Sequence, residues 1–173
     1  MVRLFFATDV PQTVIFRAQN IQQDFSKDIG RISWVKPEKL HITLAFLGNQ
    51  PRERVPLFCE TLQKLLRERA QIKCRVTSLQ AMAKFALSLE VISQELASLA
   101  YDIRKELDFI EVSPEFKAHC TLAYLKKPLI RELLQKQVQD INEKYKPFDC
   151  IINTFALKLS FAEKYIDLCS IKL

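Results

Sequence analysis

The chain has two histidines, and each heads nearly the same short phrase: HITLAFL at 41–47 and HCTLAYL at 119–125. An imidazole has an ordinary pKa near 6.5, which puts both of its protonation states within reach at neutral pH. Two of them at one site could move protons in opposite directions, the neutral ring taking one and the charged ring giving one. Each phrase also places a threonine two residues after its histidine, Thr43 and Thr121. On a strand, residues i and i+2 share a face. Each imidazole would then bring a hydroxyl able to hydrogen-bond an anion held between the rings and to stabilise charge on a phosphoryl oxygen. Such parts suit phosphodiester chemistry without a metal, above all on a ribose 2′,3′-cyclic phosphate, whose ring is strained from the start.

A single histidine on a strand is more often a satisfied polar residue than a catalyst. Here the same Thr, Leu, Ala and Leu follow at the same offsets in both phrases, a match on the order of 10⁻⁵ at average residue usage. Packing accounts for Leu44, Phe46, Leu122 and Tyr124. It does not account for a His and a Thr on the opposite face in both copies. Plain alternation puts Ala45 and Leu47 on the face of His41, and Ala123 and Leu125 on the face of His119. It turns Cys120, Leu122 and Tyr124 away.

The elements that must position these phrases repeat as well. VRLFFAT (2–8) reads as a buried strand, and Pro11 suits a first helical turn. Val14, Ala18, Ile21 and Phe25 then recur at helical spacing. After the strand of the first phrase, closed by Gly48, Val55, Phe58, Leu62, Leu65 and Leu66 form a second helical stripe, and IKCRVTSLQAMA (72–83) is a further strand. The second half runs in the same order. KFALSLEV (84–91) is a strand, Ser93 can cap a helix with Leu96, Leu99, Ala100, Ile103 and Leu107 on its stripe, and HCTLAYL follows. Pro128 would start a last helix with Ile130, Leu134, Val138 and Ile141. FDCIINTFALKLSF (148–161) reads as one long strand and KYIDLCSIKL (164–173) closes the chain. From Phe5 to His41 is 36 residues and from Phe85 to His119 is 34. The expected fold is α+β: one domain of two lobes of antiparallel strands, about 1–83 and 84–173, with strands free to exchange between them. The lobes would be related by a pseudo-twofold, with helices outside and a cleft between.

Composition narrows the function further. With two glycines, neither G-x-G-x-x-G nor G-x-x-x-x-G-K occurs, so glycine-rich phosphate loops are excluded. No apolar run reaches membrane-spanning length, and the first twelve residues lack the long apolar region and cleavage site of a signal peptide. Five cysteines, odd in number and scattered without C-x-x-C, are expected to be free thiols in a cytoplasmic protein. A net charge of +6 suits an anionic partner such as RNA or a phosphate ester. Cys120 beside His119 would point to the other side of its strand and serve as a core thiol. Two histidines without a third suitably spaced ligand make a poor zinc site.

HITLAFLG and HCTLAYL resemble the paired H-x-T motifs of the two-histidine phosphoesterase superfamily, most closely its RNA 2′,3′-cyclic phosphodiesterase or 2′-5′ RNA ligase-like members. RLFFATDVP, WVKPEKLHITLAFLG and FKAHCTLAY resemble that family's corresponding segments. The resemblance implies a bilobal α+β fold and metal-independent opening of a 2′,3′-cyclic phosphate at an RNA end, leaving a 2′-phosphate, with no cofactor. It implies His41 as the proton donor and His119 as the proton acceptor; the residues alone leave the two roles interchangeable. Thr43 and Thr121 would hold the phosphate. Trp34, Phe6, Lys36 and Lys126 are candidate base or RNA contacts, with Lys39, Lys117 and Lys127 flanking the motifs. RNA ends or cyclic nucleotides would be the partners, no membrane is involved, and a monomer is expected. Tyr124 stands where the family usually carries Arg, and Ala118 where it usually carries Pro. The rival readings are an RNA-end ligase, in which a 5′-hydroxyl replaces water, and a module that binds RNA ends without turnover.

Overall fold

Short apolar runs become strands and 3.6-residue stripes become helices in the computed structural model, which describes residues 1–25, 29–82, 86–107, 109–110, 116–162 and 164–173. The order is β1 (Val2–Asp9), α1 (Gln12–Asp24), β2 (Gly30–Trp34), β3 (His41–Gln50), α2 (Val55–Leu66), β4 (Ile72–Met82), β5 (Ala86–Ile92), α3 (Gln94–Glu106), β6 (His119–Leu129), α4 (Arg131–Lys144), β7 (Phe148–Ile152), β8 (Thr154–Phe161) and β9 (Lys164–Lys172). Lys84 and Phe85, expected to open the strand that became β5, lie outside the described residues.

Three helices bury most of the stripe their spacing announced, Val14, Ala18 and Ile21 on α1, Phe58, Leu62 and Leu66 on α2, Leu96, Leu99, Ala100 and Ile103 on α3, whereas α4 buries Leu134 and Ile141 and Ile130 lies exposed just before it. Ser93 caps α3, its Oγ accepting from the Leu96 amide at 3.3 Å. On α4, Asn142 donates to and accepts from the backbone of Leu79 at 3.0 and 2.8 Å, which pins that helix to β4.

The strands form one antiparallel sheet in the order β7-β4-β5-β6-β3-β1-β8-β9, with β2 on β6 beside β3. The two motif strands meet at its middle, where Ile42 pairs with Cys120. Outward from that junction the halves match, β3-β1-β8-β9 on one side and β6-β5-β4-β7 on the other. β4 follows the first half's second helix yet pairs with β5, and β8 follows the second half's last helix yet pairs with β1. One face of the sheet carries the helices and a continuous apolar core including Leu44, Leu122, Phe58, Leu99 and Phe155. The other face carries the motif side chains.

Four expectations need correction. β2 was not foreseen; GRISW is a five-residue strand that, among the described residues, pairs with β6 alone. The run 148–161 is two strands broken at Asn153, whose carbonyl accepts from the Leu173 amide at 2.8 Å. Pro128 does not start α4. It lies in β6 where the pairing shifts from Lys126–Arg31 to Leu129–Gly30, an irregularity that tolerates a residue without an amide proton. The cysteines are not all free: Cys59 on α2 is bonded to Cys169 on β9, 110 residues away. No spacing rule reveals a pairing that long, because only the docking of α2 beside β9 creates it.

Of the remaining thiols, Cys74 and Cys120 are buried, and burial pushes them up to about 11 and about 12. Thiol titration of the denatured, unreduced protein should therefore count three groups, and prior reduction should raise this to five. In the native protein Cys74 and Cys120 should resist alkylation at neutral pH.

Candidate active site

The register through Ile42 and Cys120 decides which groups meet. Both side chains point into the core, so their neighbours point to the open face. Antiparallel pairing then sets His41 across from Thr121 and Thr43 across from His119. The two histidines occupy one diagonal of this four-residue rectangle, with a Cα separation of roughly 7–8 Å, and the threonines occupy the other. Groups 78 positions apart in the chain thus flank one space that a phosphate can fill.

Both imidazoles are held alike. His41 Nδ1 lies 2.7 Å from the Lys39 carbonyl, and His119 Nδ1 lies 2.8 Å from the Lys117 carbonyl. A carbonyl only accepts, so Nδ1 carries the proton in each ring, and Nε2 is left as the group that takes or gives a proton. Around His41, Nε2 lies 3.2 Å from Thr43 Oγ1, within reach of the hydroxyl proton. The rings of Phe5 and Tyr165 stand 5.2 and 5.1 Å from the imidazole of His41 and limit its rotation. Burial pushes the pKa of His41 down. The Lys39 carbonyl opposes that shift, Lys158 adds to it, Asp9 opposes it, and His119 adds to it.

A cleft of about 710 Å³ opens over the rectangle and contains all four motif side chains. Among the described residues lining it, Arg3, Lys36 and Lys39 are cations and none is a carboxylate, so the cleft presents positive potential to an anion. Phe5, Phe46, Tyr124 and Tyr165 add aromatic walls. No group of three or more His, Cys, Asp or Glu able to hold a metal occurs among the described residues.

Tyr124 lies on the face opposite to the one plain alternation assigns. Between Thr43 and Ala45 the pairing with β1 slips by one residue at Leu44, and between Thr121 and Ala123 the pairing with β5 slips by one at Leu122. These bulges lie at the same offset from each histidine. Each sends two successive residues inward, Leu44 with Ala45 and Leu122 with Ala123, all four of them buried. The phase then reverses: Phe46 and Tyr124 turn to the cleft, 66% and 53% exposed, while Leu47 and Leu125 turn to the core.

Among the other candidates, Lys36 and Trp34 border the cleft. The Trp34 ring also packs edge-on against Phe25 at 5.6 Å. Phe6 does not reach it. It is fully buried against Phe58, and its neighbour Phe5, on the opposite face of β1, is the one at the site. Lys126 is exposed beside Arg31 on β2 and outside the cleft lining. Side chains at 127–129 lie outside the described residues. Arg3, Ser160 and Tyr165 were not foreseen, since they reach the cleft only because β8 and β9 pair onto β1.

A family model of LigT-like phosphoesterases matches residues 9–86, the half that holds the first motif. An RNA 2′,3′-cyclic phosphodiesterase of Archaeoglobus fulgidus is 28% identical over 148 residues, 78% of this chain and 80% of that protein. Among solved structures, TT0787 of Thermus thermophilus superposes with a TM-score of 0.80 at 23% identity, covering 99% of this chain and 97% of that one. Escherichia coli LigT, complexed with NADP+, superposes at 0.70 and 20% identity, covering 99% and 98%. The likeness in sequence is to LigT-like phosphoesterases over residues 9–86, and the likeness in fold extends over the whole chain.

The contrast between wall and core is measurable by denaturant unfolding. Phe6→Ala should cost about 3–5 kcal/mol by opening a cavity under β1. Tyr124→Ala, at an exposed cleft wall, should change stability by no more than about 0.5 kcal/mol.

Proposed function

We propose that the protein hydrolyses 2′,3′-cyclic phosphates at RNA ends or on nucleosides to 2′-phosphates, without a metal, by proton transfer through His41 and His119. The observation that carries this reading is the diagonal placement of two imidazoles, each fixed through Nδ1 and each presenting Nε2 to one phosphate-sized space. In-line displacement at phosphorus needs a base on the side of the attacking water and an acid on the side of the departing oxygen. In the division the family implies, His119 Nε2 removes a proton from water as its oxygen bonds to phosphorus. His41 Nε2–H gives its proton to the ribose 3′ oxygen as the bond from phosphorus to that oxygen breaks. The hydroxyls of Thr43 and Thr121 donate to the non-bridging oxygens, whose charge grows in the transition state. The aromatic walls offer stacking surfaces for the terminal base, worth about 1–3 kcal/mol per base.

One observation favours the reverse division. Burial depresses His41, so in the empty cleft this ring is disposed to be neutral, as a base should be. A phosphate anion between the rings works against that depression by attracting the protonated form. The 28% identical curated relative supports the cyclic phosphodiester as substrate class.

Cyclic-phosphate dinucleotide incubated with purified protein and EDTA should be opened to the 2′-phosphate. His41→Ala and His119→Ala should each lose about 10²–10⁴-fold in kcat. Tight binding without product would replace this reading with a binding module, and strand joining that outpaces hydrolysis when a 5′-hydroxyl acceptor is added would replace it with a ligase.

The roles separate by leaving group. An aryl phosphodiester departs without a proton, so the variant lacking the acid should recover most of its loss on that substrate, and the variant lacking the base should not. With His41 as acid, kcat/KM falls as pH rises through its depressed pKa. With His41 as base, kcat/KM falls as pH drops through it.

A further inference from the structure

Beneath the candidate site lies a buried charge that the proton transfers do not use. Lys158 on β8 is 6% exposed, and its Nζ lies 2.9 Å from Asp9 Oδ1 and 2.7 Å from Asp167 Oδ1. All three belong to the cleft face of the sheet. Asp9 stands directly across from His41, and Lys158 stands across from Phe5, whose ring touches His41. Asp167 pairs with Lys158 on β9. Ala7 and Ala156 face each other between these positions and are too small to fill that face, which leaves room for a long side chain to lie under the cleft.

Among the described residues, the second half repeats this arrangement with a methionine at the position that matches the cation. Glu90 stands across from His119 as Asp9 does from His41, and its carboxylate accepts from the hydroxyls of Thr77 and Ser78 at 2.5 and 3.5 Å. The position across from Phe5 is Lys158. The matching position, across from Ala86, is Met82. Among the described residues, the backbone and the carboxylate across from the histidine repeat, while the buried ammonium and its second carboxylate do not.

We propose that Lys158, clamped between Asp9 and Asp167, is a positioning residue that, together with the rings of Phe5 and Tyr165 enclosing His41, makes the two histidines unequal proton carriers. A fixed ammonium disfavours a second positive charge on the nearby imidazole, and the Asp9 carboxylate favours it. The other titratable groups facing His41 are His119 from β6 and Tyr165 from β9, with Arg3, Lys36 and Lys39 along the same cleft. The depression of His41 follows the same signs: burial first, then the Lys39 carbonyl against it, Lys158 with it, Asp9 against it and His119 with it. The inference deepens the proton-transfer reading, but the free protein tests it without turnover.

With only two histidines, both imidazoles can be followed by NMR titration in the intact chain, and His119→Gln assigns the signals. Lys158→Met should raise the midpoint of His41 and Asp9→Asn should lower it, each by roughly half a pH unit, with His119 moving less. Opposite shifts from the two partners of one ion pair identify an electrostatic role, since loss of a purely structural brace would move His41 the same way in both. Equal movement of the two histidines, shifts of one sign, or no shift would overturn the proposal. Removing one partner of a buried pair can unfold a protein. Asp9→Asn leaves Lys158 paired with Asp167, so where Lys158→Met does not fold, an unchanged or raised His41 midpoint in Asp9→Asn overturns the proposal by itself. Opposite shifts in a protein that opens no cyclic phosphate would retire the hydrolase reading and leave this one standing.

Discussion

Everything at the site depends on one short contact between two strands. β3 and β6 come from different halves of the chain and, among the described residues, pair in register at Ile42–Cys120. That pair is apolar and buried, so its position is held by the core and not by the polar groups beside it. A slip of one residue would carry Ile42 to the cleft and a histidine into the core, at a cost in both desolvated polar surface and lost apolar burial. The packing energy of the two halves therefore enforces the register that puts His41 and His119 on one diagonal. On this view the Ile and Cys inside H-x-T are as necessary to the site as the residues that name the motif.

The exchange of strands reinforces this junction. β4 closes on β5 and β8 closes on β1, so each half is completed by a strand supplied from the other. Neither half can shift as a unit without breaking pairs that belong to its partner. The bond from Cys59 to Cys169 adds a covalent link between α2 and β9 across that exchange. Rigidity matters for the proton transfer proposed above, because a small misplacement of either group would cost rate steeply.

What the sequence made legible was whatever repeats locally. Helical stripes such as Leu96, Leu99, Ala100 and Ile103, the Ser93 cap, and the histidine strands all have periods a few residues long. The bulges at Leu44 and Leu122 have no letter of their own: HITLAFL and HCTLAYL alternate acceptably without them, and only pairing with β1 and β5 shows which residue is extra. One missed residue reversed the phase of all that followed, which is why Tyr124 was assigned to the wrong face. The same one-residue distinction separates Phe5, at the site, from Phe6, in the core. Lys158 was illegible for another reason. Nothing in TFALKLSF tells a buried lysine from a surface one until Asp9 and Asp167 arrive beside it from other strands.

The bulges also sort the residues of the two phrases by face. Through the bulge His and Thr recur on the cleft face, and Leu and Ala recur in the core. Past the bulge the core residue recurs as Leu47 and Leu125, while the cleft-facing residue differs, Phe46 in one copy and Tyr124 in the other. The His–Thr pair and the aromatic wall residue thus lie on opposite sides of one irregularity in each strand. A change at 124 alters what the cleft wall offers a ligand, while the backbone that fixes His119 and Thr121 stays paired to β5. That separation leaves the wall free to vary while the backbone that carries the two His–Thr pairs keeps its register.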